Sequence, residues 1–171
     1  ETVAYFLEQN VTVKVISGDN AATVGAIAAQ AGVPMANAPV DARELPADVD
    51  ELASAMTSAN VFGRVTPTQK QQMVEALHLK QSTVAMTGDG VNDVLALKSA
   101  DLGIAMGSGS GATRAVAQLV LLENKWSVMP SVVAEGRRVL GNIERVSDVF
   151  LTKTFYAILI SLVTAIFAIE F

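Results

Sequence analysis

Two aspartates four residues apart, Asp89 and Asp93, lie in the string Thr87-Gly88-Asp89-Gly90-Val91-Asn92-Asp93. Hard carboxylate oxygens in this arrangement suit Mg2+, which binds through one or two acids and completes its shell with water and phosphate oxygens. The run Thr83–Met86 before the string reads as a short buried strand, and Val91–Ser99 after it reads as a helix. The carboxylates therefore fall at a strand-to-helix junction, where open α/β sheets bind their ligands. Gly88 and Gly90 give the backbone the freedom such a turn needs. An ordinary turn with a helix cap would account for Gly-Asp-Gly, but it leaves the second carboxylate without a purpose.

Further groups suit the same chemistry. Lys70 falls in the first turn of a helix, where the macrodipole disfavours a cation by roughly 0.3–1 kcal/mol. An anion at that helix end accounts for it, the lysine neutralising phosphate beside the metal; a solvated surface lysine is the plainer alternative. Ser17-Gly18-Asp19 closes an earlier strand. A hydroxyl beside a free N–H at a strand tip can hydrogen-bond a phosphoryl oxygen, and a simple turn and cap would use the same residues. Gly107–Gly111 lacks the spacing and the downstream acid of a dinucleotide loop, so it reads as a flexible connection. His78 is assigned no role. Asp89 and Asp93 are poor nucleophiles while they ligate a metal. The set stabilises phosphate in transfer but does not supply the attacking group.

These groups need elements to hold them. Residues 2–9 read as helix, Val11–Ile16 as a β-branched strand, and Ala21–Ala31 as a helix capped by Asp19 or Asn20 and stopped by Gly32. Residues 34–47 look irregular. Helix follows over Asp48–Ser58 and a strand over Asn60–Gly63. Thr66-Pro67-Thr68-Gln69 has the pattern of a capping box opening a helix to about Lys80. Strands over 83–87, 102–105 and 119–122 complete an alternation that argues for a parallel sheet with helices on both faces.

From Trp126 apolar residues such as Val132, Val139, Ile143 and Val146 recur at steps of mostly three and four, the stripe of one long helix. Lys153 and Glu170 bracket 16 uncharged residues, about 24 Å of helix against roughly 30 Å of bilayer hydrocarbon. A membrane span is expected there, with Arg137, Arg138, Arg145 and Lys153 on the cytoplasmic side; a buried core helix is the alternative. The 171 residues suffice for one domain with a core. The absence of cysteine excludes disulfides and thiolate metal sites, and a single histidine leaves little for zinc or a histidine-based triad. Residues 1–122 carry 12 acids and 7 bases, which argues against a nucleic-acid partner. The chain opens as though in mid-helix, so a piece of a longer protein is expected.

The series SGDN (17–20), VFGRVTPTQK (61–70), TGDGVNDVLALKSADLGIAMG (87–107) and GRRVLGNIERV (136–146) resembles the P-type ATPases, cation pumps of the haloacid dehalogenase superfamily. The resemblance implies an α/β, Rossmann-like parallel sheet lacking its nucleophile strand, followed by a long helix entering a membrane. It implies a partial phosphorylation domain over 1–125, a cytoplasmic stalk over 126–149 and a truncated transmembrane helix over 150–171. Asp89 matches the family's Mg2+ ligand, and Asp93 with Asn92 the residues holding metal and phosphate. Lys70 matches the lysine that binds the aspartyl phosphate. Ser17 and Gly18 match a threonine-glycine pair on the phosphoryl group, the serine keeping the hydroxyl. Asp19 matches an acid near the nucleotide hinge, and Gly88 and Asn92 fall on the same cofactor-binding side.

The implied cofactors are Mg2+ and ATP. The implied partners are a transported cation (Ca2+ or Mg2+), membrane lipid and the missing N-terminal part of the pump. The expected location is a bacterial cell membrane, with residues 1–149 cytoplasmic. The family's nucleophile lies in a DKTGT string, and no such string occurs here. The residues alone are therefore expected to be inactive. Loss of a central strand should split the sheet, or force together the strands ending at Ser17 and Met86, and leave a poorly stable fold with open edges. Two other readings stay open: a soluble phosphatase of the same superfamily, and a non-catalytic module whose partner supplies the nucleophile.

Overall fold

Capping side chains set where the helices begin. The computed structural model describes residues 1–167, and its helices are α1 (Thr2–Glu8), α2 (Ala21–Gln30), α3 (Val49–Ser58), α4 (Pro67–Leu79), α5 (Val94–Ser99), α6 (Gly111–Val116) and α7 (Met129–Phe167). Asn20 accepts the Ala22 N–H at the start of α2, and Asp48 accepts the N–H groups of Asp50 and Glu51 at the start of α3. At α4 the side chains of Thr66 and Gln69 each accept the other's backbone N–H, with Pro67 in the first turn. Each such cap contributes about 1 kcal/mol by satisfying N–H groups that the helix itself leaves unpaired.

The strands are short: β1 (Val15–Ile16), β2 (Val40–Asp41), β3 (Val61–Gly63), β4 (Ala85–Gly88), β5 (Leu102–Met106) and β6 (Leu119–Leu121). All pair in parallel, as two three-stranded sheets of order β1-β3-β2 and β4-β5-β6. The strands thus form two separate sheets, whose outer strands β1, β2, β4 and β6 each keep one edge without a strand partner among the described residues.

Several boundaries differ from expectation for reasons of pairing. The strand expected over Val11–Ile16 shrinks to two residues, because β3 offers only three residues to pair with. Lys14 instead sends its Nζ to the Ala59 carbonyl and the Asn60 Oδ1. The strand before Asp89 begins at Ala85, and Ala85 is exposed rather than buried, since β4 is paired on one side only. Residues 34–47 hold β2 and a 3-10 turn over Ala42–Glu44, elements too short to leave a periodic signal. The helix expected over 91–99 opens as a 3-10 turn, Val91–Asp93, before α5. Helix α6 was not anticipated.

The core explains why α4 can position chemistry. Phe62, Met56 and Met73 are fully buried in a cluster that joins β3, α3 and α4. Val61 on the other face of β3 packs with Val24 and Ala28 of α2 and Val3 of α1. Val74 turns to Val84, Ala96 and Ala100. Helix α4 therefore buries Met73 with the first sheet's cluster and Val74 with the elements flanking β4. Burial of each such side chain stabilises by about 1.5–3 kcal/mol.

The chain divides into two compact units, Glu1–Ser127 and the residues from Val128 on. In the second, α7 is a 39-residue helix. The stretch Trp126–Ile166 contains an 18-residue window of mean hydropathy 1.9, none of it buried, which is long and apolar enough to cross a membrane. The end of the expected span, residues 168–171 including Glu170, lies outside the described residues.

At the end of β2, Asp41 accepts the Nε and terminal NH2 groups and the backbone N–H of Arg43, and Arg64 Nε lies 3.6 Å from its Oδ2. The side-chain bonds from Arg43, then its backbone N–H, hold the Asp41 carboxyl at about 2, below its usual 3.8. The folded state thus holds its proton less tightly than the unfolded chain does. The stability this group contributes is complete above about pH 4 and is lost as pH falls towards about 2. Asp41→Asn should lower stability at neutral pH and flatten the acid limb of the unfolding midpoint between those values; wild-type and variant curves that stay parallel would contradict the assignment.

Candidate functional site

The turn after β4 wraps around Asp93. This residue is 6% exposed. Its Oδ1 accepts from Lys70 Nζ at 2.6 Å, and its Oδ2 accepts the Gly90 N–H at 3.2 Å. The Asp93 N–H returns to the Gly90 carbonyl at 3.0 Å. Gly88 is required by close approach: a Cβ there would lie 2.5 Å from Asp93 Cβ and 2.7 Å from its Cγ. The second carboxylate, superfluous to a turn, is the acceptor that holds Lys70.

Asp89 is exposed, and its carboxylate has no hydrogen-bond or ion-pair partner among the described residues. Asn92 is exposed beside it. No cluster of three or more Asp, Glu, His or Cys side chains occurs among the described residues, so a cage built wholly of protein is not available. An exposed carboxylate in the same turn as a second one whose oxygens keep unused lone pairs is a hard-oxygen set. It fits Mg2+, which takes its other ligands from water and phosphate, and it does not suit ions that need many protein ligands or soft donors.

Ser17, Gly18 and Asp19 form a second, separate group. Ser17 Oγ donates to Asp19 Oδ2 at 3.1 Å and accepts the Asp19 N–H at 3.2 Å. The Arg64 N–H donates to the Asp19 carbonyl at 2.7 Å and the Val65 N–H to the Ser17 carbonyl at 3.0 Å. The Gly18 N–H has no acceptor among the described residues. No hydrogen bond or ion pair joins this turn to Asp89, Asn92 or Asp93. What the two groups share is α4: its entry, residues 64–66, is stitched to the first, and Lys70 in its first turn reaches the second.

The loop expected to be a flexible connection is instead fastened to the Asp89 turn. Ser110 caps α6 through the Thr113 N–H, and the Ser110 N–H donates to the Asp89 carbonyl at 2.9 Å. Thr113, fully buried, donates from Oγ1 to the Gly90 carbonyl at 3.1 Å. Neither residue stands out in the sequence; the Ser-x-x-Thr spacing of an N-cap is the one signal that could have found them. His78 acts elsewhere. Its Nε2 lies 3.0 Å from Asp101 Oδ2, which also accepts the Val84 N–H at 2.8 Å, just before the start of β4. The Val84 N–H, then the His78 bond, hold the Asp101 carboxyl below its usual value.

Known proteins resemble this chain. The model of the haloacid dehalogenase-like hydrolases matches residues 1–101. The calcium-transporting ATPase CtpE of Mycolicibacterium smegmatis is 57% identical over 166 residues, covering 97% of this chain and 21% of that protein. The human calcium-transporting ATPase type 2C member 1 is 35% identical over 168 residues, covering 96% of this chain and 18% of that protein. The chain thus spans about a fifth of the length of these curated relatives. Among solved structures, a zinc-transporting PIB-type ATPase in its E2.Pi state superposes with a TM-score of 0.64 at 25% identity, over 84% of this chain and 19% of that one.

Lys70→Ala removes the cation from a carboxylate that stays buried, and breaking such a pair from one side should cost about 3 kcal/mol. Adding Asp93→Asn to Lys70→Ala should recover part of that loss. Chemical unfolding of the single and double variants measures both, and simple additivity of the two changes would show that the pair contributes nothing.

Proposed function

The chain belongs to the haloacid dehalogenase-like hydrolases, on their P-type cation-transporting ATPase branch, and from that premise we propose that it forms half of the phosphoryl-transfer site of an ATP-driven cation pump. The observation that carries the reading is the Lys70–Asp93 pair in the turn after β4, four residues along the chain from the exposed Asp89. A positive charge held rigidly next to a free hard acid is what a site for phosphate and Mg2+ needs. The unpartnered edges of β1 and β4 are where a strand from outside these residues would bring the nucleophilic aspartate.

In this account that aspartate attacks the γ-phosphate of ATP: an aspartyl O–P bond forms, the bond to the β-phosphate oxygen breaks, and ADP leaves. Water later attacks the same phosphorus and frees phosphate. Asp89, with Asp93 and Asn92, would hold Mg2+, and the ion when bound would supply charge neutralisation to the phosphoryl group. Lys70 adds a positive charge, its direction fixed by Asp93. Ser17 Oγ turns from Asp19 to donate to a phosphoryl oxygen together with the Gly18 N–H. Asp19 and Gly88 line the nucleotide side. Residues 1–125 serve as part of the phosphorylation domain, 126–149 as a cytoplasmic stalk and 150–171 as a membrane span in a bacterial cell membrane. Without the DKTGT nucleophile these residues alone are inactive. Calcium is the cation favoured over Mg2+, following the calcium-transporting relatives.

Membrane vesicles carrying the complete protein should take up radiolabelled Ca2+ when given ATP and Mg2+. Asp89→Asn should reduce the rate by about 100-fold or more, the loss of several kcal/mol of charge stabilisation. Uptake of another cation in place of Ca2+ would overturn the ion; uptake indifferent to Asp89→Asn would overturn the site.

A further inference from the structure

We infer that Thr113 and Ser110 are positioning residues for the metal-binding turn: they fix the backbone of Asp89 and Gly90 and so set where the Asp89 carboxylate points. The inference rests on the reading of Asp89 as the Mg2+ ligand. Asp89 is exposed and its carboxylate has no partner among the described residues, so its backbone is the part of it that the fold holds in place. That backbone is gripped from one side by the Gly90–Asp93 turn and from the other by the entry to α6.

The hydrogen-bond accounting closes. The Ser110 N–H donates to the Asp89 carbonyl at 2.9 Å. Thr113 Oγ1 donates to the Gly90 carbonyl at 3.1 Å, with the Asp89 carbonyl also near at 3.4 Å. A hydroxyl has one proton to give, so the close Ser110 Oγ–Thr113 Oγ1 contact requires Ser110 to donate there. Ser110 Oγ still accepts the Thr113 N–H at 3.1 Å. Every polar atom in this small network has a partner, and Thr113 is fully buried. A buried hydroxyl spent on a metal-loop carbonyl, rather than on its own helix, is not needed to build α6.

Gly109 carries the same message by shape. A Cβ at this position would lie 2.9 Å from the Asp89 carbonyl oxygen and 3.3 Å from its Cα. It would meet the Met106 carbonyl oxygen at 2.9 Å as well, so a side chain would press on backbone at both Asp89 and Met106.

The test uses the complete protein and Mg2+ alone, without nucleotide. Thr113→Val keeps the shape and removes the hydroxyl; Thr113→Ser keeps the hydroxyl; Gly109→Ala keeps both hydroxyls and shifts Asp89. Calorimetric titration gives Mg2+ affinity at this site, with Asp89→Asn as the reference for its loss, and hydrogen exchange of the amides over 87–93 reports the turn. Loss of an outer partner typically costs 10–100-fold in metal affinity, so Thr113→Val and Gly109→Ala should each weaken Mg2+ by about 10-fold or more and speed exchange in the turn. Thr113→Ser should restore both to within about 2-fold of wild type on the same scale. If Asp89→Asn abolishes binding while Thr113→Val and Gly109→Ala lower only the unfolding midpoint, the positioning role is overturned and the metal reading stands. If Asp89→Asn itself leaves Mg2+ affinity unchanged, the metal reading is overturned, and this inference with it.

Discussion

The ion pair between Lys70 and Asp93 joins two stretches 23 residues apart in sequence and decides what each can do. Both side chains are largely withdrawn from water, at 12% and 9% exposure. Removing two charges from water costs several kcal/mol, and the attraction offsets that only where geometry and further hydrogen bonds are good. Here the second carboxylate oxygen is met by the Gly90 N–H, and Gly88 clears the space the carboxylate needs. The consequence is a division of labour. Asp93 spends its charge on holding Lys70 and closing the turn, while Asp89 is exposed, with no partner among the described residues.

Helix α4 is the member that makes this pair matter beyond its own turn. It buries Met73 against one cluster and Val74 against another, and its entry is hydrogen-bonded to the Ser17–Asp19 turn. A cation in the first turn of a helix works against the macrodipole unless an anion faces it. In the protein that anion is first Asp93, and in the proposed reaction phosphate joins it. A local cost in helix stability is thus tied to a function, the pattern expected where a sequence breaks a local rule.

What could be read from the sequence follows from which signals are local. The α4 start was legible because Thr66, Pro67 and Gln69 are a self-contained capping device, and a candidate site could be proposed because Asp89, Asp93 and Lys70 carry charges with few bland uses. The two-residue strands β1 and β2 were not, since their extent is set by the partner β3 and not by their own residues. The exposure of Ala85 was likewise hidden: it depends on what pairs with β4. Ser110 and Thr113 escaped because hydroxyls have many roles in any sequence, and only the fold brings them to the Asp89 and Gly90 carbonyls. His78 gave no signal because its partner Asp101 is distant in the chain, and the pair serves the opposite end of β4. The resemblance to P-type ATPases named the residues proposed to touch phosphate, but it said little about those that hold them.

The most direct measurement is of the covalent intermediate. The complete protein would be exposed briefly to ATP labelled at the γ-phosphate, quenched in acid and treated with hydroxylamine. The account predicts an acid-stable label that hydroxylamine releases, as an acyl phosphate must, and that disappears when Asp89 is replaced by Asn. A label that resists hydroxylamine, or one that forms equally well without the Asp89 carboxylate, would contradict it.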